Sequence, residues 1–214
     1  MSGGALSVLL AGATGLVGRH VLAQLLSDAR FRSVVAPTRR PLAAHPKLEN
    51  PLVDFDRLDR EAAWWAVDAA ICTLGTTRAK AGSAEAFRRV DLDYPLAVAR
   101  LARAAGATRF GLNSALGADA SSRLLYPRTK GEVEKLIGEL GYPSLTIVRP
   151  GLIGGERGEF RAMEAIASVA LGALGPVLPR RYRINPAGRI AAALVDGVAE
   201  GLPGTRVISS EMLV

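Results

Sequence analysis

A glycine-rich turn between a short apolar segment and a helical pattern constrains the fold of this chain more than any other feature. Residues Leu6–Ala11 predict a β-strand, and a helical pattern over Leu16–Leu26 follows the turn at once. Gly12, Gly15 and Gly18 stand at three-residue spacing in this turn. A strand that turns sharply into a helix packed back on its own sheet needs residues without side chains at such positions. The segment therefore predicts the first βα unit of a parallel sheet.

The same turn predicts a binding site for a phosphate-bearing ligand. Gly12 tolerates an unusual backbone conformation, a bare Cα at Gly15 lets a pyrophosphate approach the main chain, and Gly18 permits close helix–strand contact. Unpaired N–H groups at the beginning of the helix would then face the phosphates. Glycines also occur in strand–helix turns that bind no such ligand, so other residues must decide. The residues expected to bind here are Gly12, Thr14, Gly15, Leu16, Val17 and Gly18.

Strand-like and helical segments alternate along most of the chain. This alternation predicts right-handed crossovers and an α/β fold with a doubly wound parallel sheet, whose ligands bind at the carboxyl ends of the strands. We expect one domain over residues 1–214, with the glycine- and proline-rich stretch 150–186 as an irregular lobe on the substrate side. The predicted strands after the first are Ser33–Ala36, Leu52–Phe55, Ala69–Leu74, Arg109–Ser114, Leu145–Val148 and Thr205–Ser209. The later helices are Asp91–Ala105 and Pro127–Leu140, with a helical link over Asp59–Ala66.

Composition narrows the class of protein. Hydrophobic residues at 49% and charged residues at 22% are typical of a globular protein, and the net charge of +7 comes mostly from arginine. The arginines are scattered and aromatic residues make up only 5%, so we expect no nucleic-acid partner. Cys72 is the single cysteine, which excludes an internal disulfide, and its apolar surroundings predict a buried thiol.

One apolar stretch, Ala162–Leu178, has nearly the length of a membrane span. It contains Glu164 and two glycines, which favour a buried or interface helix over a spanning one. The segment Ala162–Leu174 could supply the face of a homodimer. The N-terminus lacks the pattern of a signal peptide, so we expect a cytoplasmic protein with no membrane span.

Two adjacent arginines follow the second predicted strand, where a dinucleotide site binds the adenosine ribose. An acidic residue there would bind the free 2′-hydroxyl of NAD, but the chain carries Arg39 and Arg40 instead. Two guanidinium groups suit a 2′-phosphate, so the pair predicts NADP in preference to NAD, although it could also be a solvated turn. Asp54, at the end of the third predicted strand, could accept a hydrogen bond from the adenine amino group or simply belong to a turn.

Tyr126 and Lys130 stand one helical turn apart, so both side chains should lie on one face. The lysine ammonium and the helix N-terminus favour a phenolate, and we expect them to lower the pKa of Tyr126 toward the range of an acid–base catalyst. Such a pair is often only a solvated helix face. Ser114 favours a catalytic role for the pair, because it stands at the carboxyl end of a predicted strand. Its hydroxyl could hold a substrate carbonyl oxygen in the same cleft.

The glycine motif, Ser114 and the Tyr126/Lys130 pair together resemble the short-chain dehydrogenase/reductase superfamily. Further segments resemble its atypical Tat-interacting-protein type, namely 74–82, 90–94, 114–119, 130–134 and 149–151. Asn113 departs mildly from the pattern, and the short C-terminal region leaves little material for a sugar-nucleotide pocket. The resemblance implies a Rossmann core that binds NADPH, with Ser114, Tyr126 and Lys130 as catalytic residues. It also implies that Leu74, Gly75, Pro150 and Ile153 line the ribose and nicotinamide.

The sequence thus predicts an NADP-dependent oxidoreductase acting on a small carbonyl or alcohol substrate, with Tyr126 as proton donor or acceptor. The alternative is a non-catalytic NADPH-binding redox sensor that acts through a protein partner. His20 and His45 belong to no cluster with ligand spacing, so we expect no metal site. Ser114 lacks the sequence context of a hydrolase nucleophile, which argues against hydrolysis.

Overall fold

The computed structural model describes residues 4–154 and 179–214. Its central feature is a sheet of parallel strands, and a small two-stranded sheet lies apart from it. The strands are β1 (Leu6–Ala11), β2 (Phe31–Val35), β3 (Leu48–Glu49), β4 (Ala69–Cys72), β5 (Arg109–Asn113), β6 (Ser144–Arg149), β7 (Ile153–Gly154), β8 (Asn185–Pro186) and β9 (Gly204–Ser209).

Helices connect these strands and cover both faces of the main sheet. A π-helical turn, Arg89–Asp93, joins two of them, and short 3-10 turns cover Ala63–Trp65, Arg180–Tyr182 and Ser210–Met212. The α-helices of the described residues are α1 (Leu16–Ser27), α2 (Arg78–Ala81), α3 (Ala84–Arg88), α4 (Tyr94–Ala104), α5 (Leu125–Gly138) and α6 (Ala187–Glu200).

The strand order confirms the predicted doubly wound α/β fold. The main sheet runs β3-β2-β1-β4-β5-β6-β9, so the order reverses between β1 and β4. These two strands pair in parallel, with Ala11 opposite Cys72 at their carboxyl ends. In such sheets the crevice for a ligand opens at the carboxyl edge beside the reversal point. The small sheet pairs β7 with β8 in parallel.

The core consists of two apolar layers, one on each face of the sheet. In β4, Ala69 and Ile71 belong to the layer under α1 and α6, while Ala70 and Cys72 belong to the layer under α4 and α5. This alternation follows from the two-residue period of a strand. Cys72 is fully buried, as expected, and burial raises the pKa of its thiol to about 12.

Several boundaries differ from the sequence-based predictions. The third strand is Leu48–Glu49 rather than Leu52–Phe55, because only Leu52 forms a bridge there, with Thr38. The helical link over Asp59–Ala66 is reduced to the 3-10 turn Ala63–Trp65. Helix α6 had no counterpart among the predicted elements, although five buried apolar residues recur along it at helical spacing: Ile190, Ala191, Leu194, Val195 and Val198.

Part of the predicted C-terminal lobe lies outside the described residues. The predicted buried helix Ala162–Leu178 and the predicted dimer face Ala162–Leu174 both fall in the part that the structure does not describe. The described ends of the lobe, Ile153–Gly154 and Asn185–Pro186, are the strands of the small sheet. Within the ranges 4–154 and 179–214, no helix combines the length and the apolar composition needed to cross a lipid bilayer.

Candidate active site

The protein's own packing requires glycine at two positions of the turn between β1 and α1. Gly12 has a φ of +93°, and a Cβ there would lie 2.7 Å from Thr73 Oγ1. A Cβ on Gly18 would lie 1.9 Å from the carbonyl oxygen of Gly12. No side chain fits at either contact, so α1 can approach β1 and β4 only because both residues are glycine. These two glycines therefore establish the geometry of the turn.

Gly15 differs from them, because little inside the protein requires it. A Cβ at this position would meet only the Gly12 carbonyl oxygen, at an ordinary 3.4 Å. Gly15 precedes α1, whose N-terminus has no side-chain cap, and both Thr14 and Gly15 are exposed. Val17 is buried in the core, so it can offer a ligand only its backbone. Uncapped N–H groups beside a bare, exposed Cα fit the pyrophosphate of a dinucleotide.

The predicted ribose-phosphate site lies at the carboxyl end of β2, the neighbour of β1. Arg39 and Arg40 are both exposed there. The loop is held in place because Thr38 Oγ1 donates a hydrogen bond to the Arg40 carbonyl oxygen at 2.6 Å. Asn50 Nδ2 in turn donates to Thr38 Oγ1 at 2.8 Å. The two guanidinium groups thus extend from an anchored backbone at the edge where a cofactor would bind.

Asp54 is an exposed turn residue in this structure. Its Oδ1 accepts a hydrogen bond from the Asp56 backbone N–H at 3.0 Å, and its carbonyl oxygen accepts one from Arg57 N–H. The strand expected to end at Asp54 is not formed there. The turn alternative thus describes its local conformation, and contact with adenine stays a prediction.

A buried ion pair fixes Lys130 at the centre of the site. Its Nζ lies 2.7 Å from Asp91 Oδ1, and the two side chains are only 7% and 1% exposed. The second carboxylate oxygen of Asp91 accepts a hydrogen bond from the backbone N–H of Thr76 at 2.8 Å. A Cβ on Gly75 would lie 3.3 Å from Asp91 Oδ1, so the loop after β4 passes directly over the pair. This contact brings Gly75 and Lys130 together, and the implied contact of Gly75 with the cofactor ribose stays a prediction.

Sequence reasoning did not assign a role to Asp91. It lies in the π-helical turn between α3 and α4, and such turns occur frequently at functional sites. A signal was available, because Asp91 follows the buried Phe87 by four residues and so places a charge on an apolar helix face. Its partner Lys130 could not be identified in this way, since the two residues belong to different helices.

Tyr126 is the second residue of α5, one turn before Lys130. Its ring packs against that of Phe87, with the ring centroids 5.8 Å apart. Tyr126 is 46% exposed, and its pKa is raised, mainly because partial burial of the phenol disfavours the phenolate. Lys130 acts in the expected, opposite direction, but Asp91 adds to the increase. The expected net lowering of the Tyr126 pKa was therefore wrong, because desolvation outweighs the effect of an ammonium paired with a carboxylate.

Ser114 is buried directly after β5, and its hydroxyl donates a hydrogen bond to Glu134 Oε1. Glu134, on α5, also forms an ion pair with Arg149, whose Nε lies 3.0 Å from Oε1. Sequence reasoning missed both of these partners. Ser114 can donate to a substrate oxygen only after releasing Glu134, because a hydroxyl has a single hydrogen.

A cavity of about 330 Å³ opens beside Tyr126. Pro150 lies in its wall, Ile153 lies in β7 and Leu74 is half-buried after β4, and the cofactor contacts implied for these residues stay predictions. The described lining also includes Ala115, Leu116, Leu152, Arg181 and Tyr182. Arg181 and Tyr182 belong to the stretch 150–186 expected on the substrate side, although neither was named as a site residue. The cavity can accept a small, largely apolar molecule next to the phenol.

The histidines lie apart from this site. His20 is in α1, and His45 is in a loop where its Nδ1 accepts the backbone N–H of Lys47 at 3.1 Å. Across residues 4–154 and 179–214, no three His, Cys, Asp or Glu side chains form a group able to hold a metal ion.

Comparison with known proteins identifies related chains. A family model described as NAD(P)H-binding matches residues 12–168. Protein HTATIP2 of Rattus norvegicus is 38% identical over 200 residues, which cover 91% of this chain and 82% of that protein. Protein fmp52, mitochondrial, of Emericella nidulans is 38% identical over 181 residues, which cover 80% and 77% of the two chains.

Solved structures share the fold at much lower identity. A short chain dehydrogenase family protein from Francisella tularensis superposes with a TM-score of 0.71 at 14% identity, covering 97% of this chain and 98% of its own. MoeE5 in complex with UDP-glucose and NAD gives a TM-score of 0.69 at 18% identity, covering 94% and 74%. At these identities the likeness establishes the Rossmann-type architecture alone.

Proposed function

Because the chain belongs to the NAD(P)H-binding family of atypical short-chain dehydrogenases/reductases that includes HTATIP2, we propose that it is an NADP-dependent oxidoreductase. Its substrate would be a small carbonyl or alcohol compound. The observation that carries this proposal is the position of Tyr126 in the cavity wall, one helical turn from a lysine fixed by a buried carboxylate. A phenol beside a substrate-sized cavity can exchange a proton with a substrate oxygen.

The cofactor would bind along the carboxyl edge of the sheet. Backbone N–H groups around Gly15 would hold the pyrophosphate, and Arg39 and Arg40 would bind a 2′-phosphate. Gly75 and Lys130, which lie together, would contact the nicotinamide ribose. The bound nicotinamide supplies the hydride chemistry, and this chain supplies orientation and proton transfer.

Tyr126 is suited to donate a proton in the reduction direction. A phenol is protonated at neutral pH, and the raised pKa of Tyr126 does not change this, so the proton is available to the oxygen of a carbonyl that accepts hydride. Ser114 would polarise the same oxygen after releasing Glu134. Lys130, held by Asp91, would keep the ribose in place.

A thermal-shift measurement tests the cofactor preference. We expect NADPH to stabilise the wild type more than NADH at equal concentration, because only NADPH carries the 2′-phosphate. In the double variant Arg39→Ser/Arg40→Ser the two shifts should become similar. The variant Arg123→Ser serves as control, because this exposed arginine does not belong to the loop after β2, and it should keep the wild-type difference. Equal shifts with both cofactors in the wild type would contradict the preference for NADP.

Turnover of aldehydes, ketones and quinones tests catalysis. Tyr126→Phe should lower kcat at least about a hundredfold on a true substrate, since it removes the general acid. Tyr94→Phe is the matched control, because this tyrosine instead donates its hydroxyl to Asp56 at 2.9 Å. Full activity of Tyr126→Phe would exclude a proton-donor role.

A second function is favoured by one contact, the hydrogen bond from Ser114 to Glu134. A serine engaged in this way suits an NADPH-binding redox sensor that acts through a protein partner without turnover. A comparison of NADPH binding with Tyr126-dependent turnover distinguishes the two functions. A sensor would bind NADPH tightly and show no Tyr126-dependent turnover over the whole substrate panel, whereas an enzyme would lose turnover with Tyr126→Phe.

A further inference from the structure

The charge of the cavity beside Tyr126 narrows the class of substrate. Two of the cations around the site are already neutralised, since Lys130 pairs with Asp91 and Arg149 pairs with Glu134. The cation that lines the cavity itself is Arg181. The charge that a ligand meets in the cavity therefore depends on whether Arg181 also pairs with a carboxylate.

Arg181 is oriented but has no carboxylate partner among the described residues. Its guanidinium carbon lies 4.7 Å above the ring centroid of Tyr182, a stacking that positions the planar group. No carboxylate of residues 4–154 or 179–214 forms a salt bridge with it. The charge of Arg181 contributes to the lowered pKa of Glu211. This contribution is smaller than those of the hydrogen bonds from the Glu211 backbone N–H and from Ser209. Arg181 thus lines the cavity without a salt-bridge partner among residues 4–154 and 179–214.

The remaining described wall is apolar. Leu116 and Leu152 face the cavity from the loops after β5 and β6, with Pro150 beside them. A ligand that fills this volume of about 330 Å³ and contacts both Tyr126 and Arg181 would need an apolar body with a polar group for each of these side chains. A planar guanidinium binds a carboxylate through two parallel hydrogen bonds.

We propose that the substrate is an aldehyde or ketone that also carries a carboxylate, with the carbonyl at Tyr126, an apolar spacer along Leu116 and Leu152, and the carboxylate on Arg181. This inference rests on the proposed oxidoreductase function for the role of the carbonyl. The anion site itself does not depend on turnover, so binding can test it separately.

Matched acids and esters test the proposal by turnover. The probes are 4-formylbenzoate and 6-oxohexanoate, each compared with its methyl ester at a fixed NADPH concentration. The wild type should prefer each acid by about fivefold or more in kcat/KM, mostly through KM. Arg181→Ala should abolish this preference and Arg181→Lys should restore part of it. Arg180→Ala is the control, because Arg180 lies in the same 3-10 turn but does not line the cavity.

Calorimetric binding of the corresponding alcohols to the NADPH-loaded protein gives a readout without turnover. The probes are 4-(hydroxymethyl)benzoate and 6-hydroxyhexanoate, again with their methyl esters. Acids that bind through Arg181 without any turnover of the aldehydes would support the anion site and contradict the enzymatic function. Equal affinity for acid and ester, no binding of either, or the same loss in Arg180→Ala as in Arg181→Ala would overturn the proposal.

Discussion

Replacing Asp91 with asparagine tests whether the buried ion pair under Gly75 supports the fold. Lys130 Nζ lies 2.7 Å from Asp91 Oδ1, with 7% and 1% of the two side chains exposed. At an effective dielectric constant of about 20, unit charges at that distance attract by about 6 kcal/mol, part of which offsets desolvation. Removing one partner of such a pair typically costs about 3–5 kcal/mol. An asparagine also offers one oxygen where Asp91 offers two, so Lys130 and the Thr76 N–H compete for it.

We therefore expect Asp91→Asn to lower the free energy of unfolding by about 3 kcal/mol and Tm by about 6–12 °C for a chain of this size. Urea denaturation and differential scanning fluorimetry measure both quantities. Asp93→Asn is the matched control, since this exposed aspartate lies in the same π-helical turn. It should change stability by no more than about 0.5 kcal/mol.

A double variant separates the ion pair from other effects of the substitution. Asp91→Asn leaves the Lys130 ammonium buried without a counter-charge, whereas adding Lys130→Met removes that charge. The double variant should therefore lose less stability than the sum of the two single variants, by about 1 kcal/mol or more. If Asp91→Asn were as stable as Asp93→Asn, or if the two effects were additive, the ion pair would not stabilise this site.

Three further predictions concern the turn, the phenol and the thiol. Gly18→Ala should lower the free energy of unfolding, measured in urea, by about 3 kcal/mol, because its Cβ would overlap the Gly12 carbonyl oxygen. Gly15→Ala should lower it by less than about 1 kcal/mol and should instead weaken NADPH binding in a titration. Equal losses of stability in the two variants would contradict this. The raised pKa of Tyr126 predicts that carbonyl reduction falls only above the usual pKa range of tyrosine, as the proton donor ionises; a fall near pH 7 would refute this assignment. Because burial raises the pKa of Cys72 to about 12, the folded protein should not react with Ellman's reagent at pH 8, and one thiol should appear only in urea.

Local patterns made much of the fold predictable. The bounds of β1 were correct and those of α1 differed by one residue, because an apolar run, a glycine turn and a helical period are all contained in neighbouring residues. The third strand was misplaced, because its two residues pair with β2 through backbone contacts that the sequence does not reveal. Tyr126 and Lys130 were found from their spacing on a single helix.

The partners of the site residues could not be predicted from the sequence. Asp91 lies 39 positions before Lys130 in the numbering and belongs to another helix, and Glu134 accepts from Ser114 across 20 positions. The raised pKa of Tyr126 depends on partial burial of its side chain, which no spacing rule predicts. Arg181 follows Tyr126 by 55 positions yet lines the same cavity.

The sequence alone determined the glycine turn, the alternation of strands and helices, and the residue types available for cofactor binding and proton transfer. These features depend on backbone sterics and on periodicities of two to four residues, which act locally. Only the tertiary structure decided which charges meet. It placed Asp91 against Lys130 and Glu134 against Ser114, and it placed Arg181, which has no salt-bridge partner among the described residues, beside the cavity. Electrostatics and desolvation depend on distance in space and on burial, and both arise only once the chain is folded.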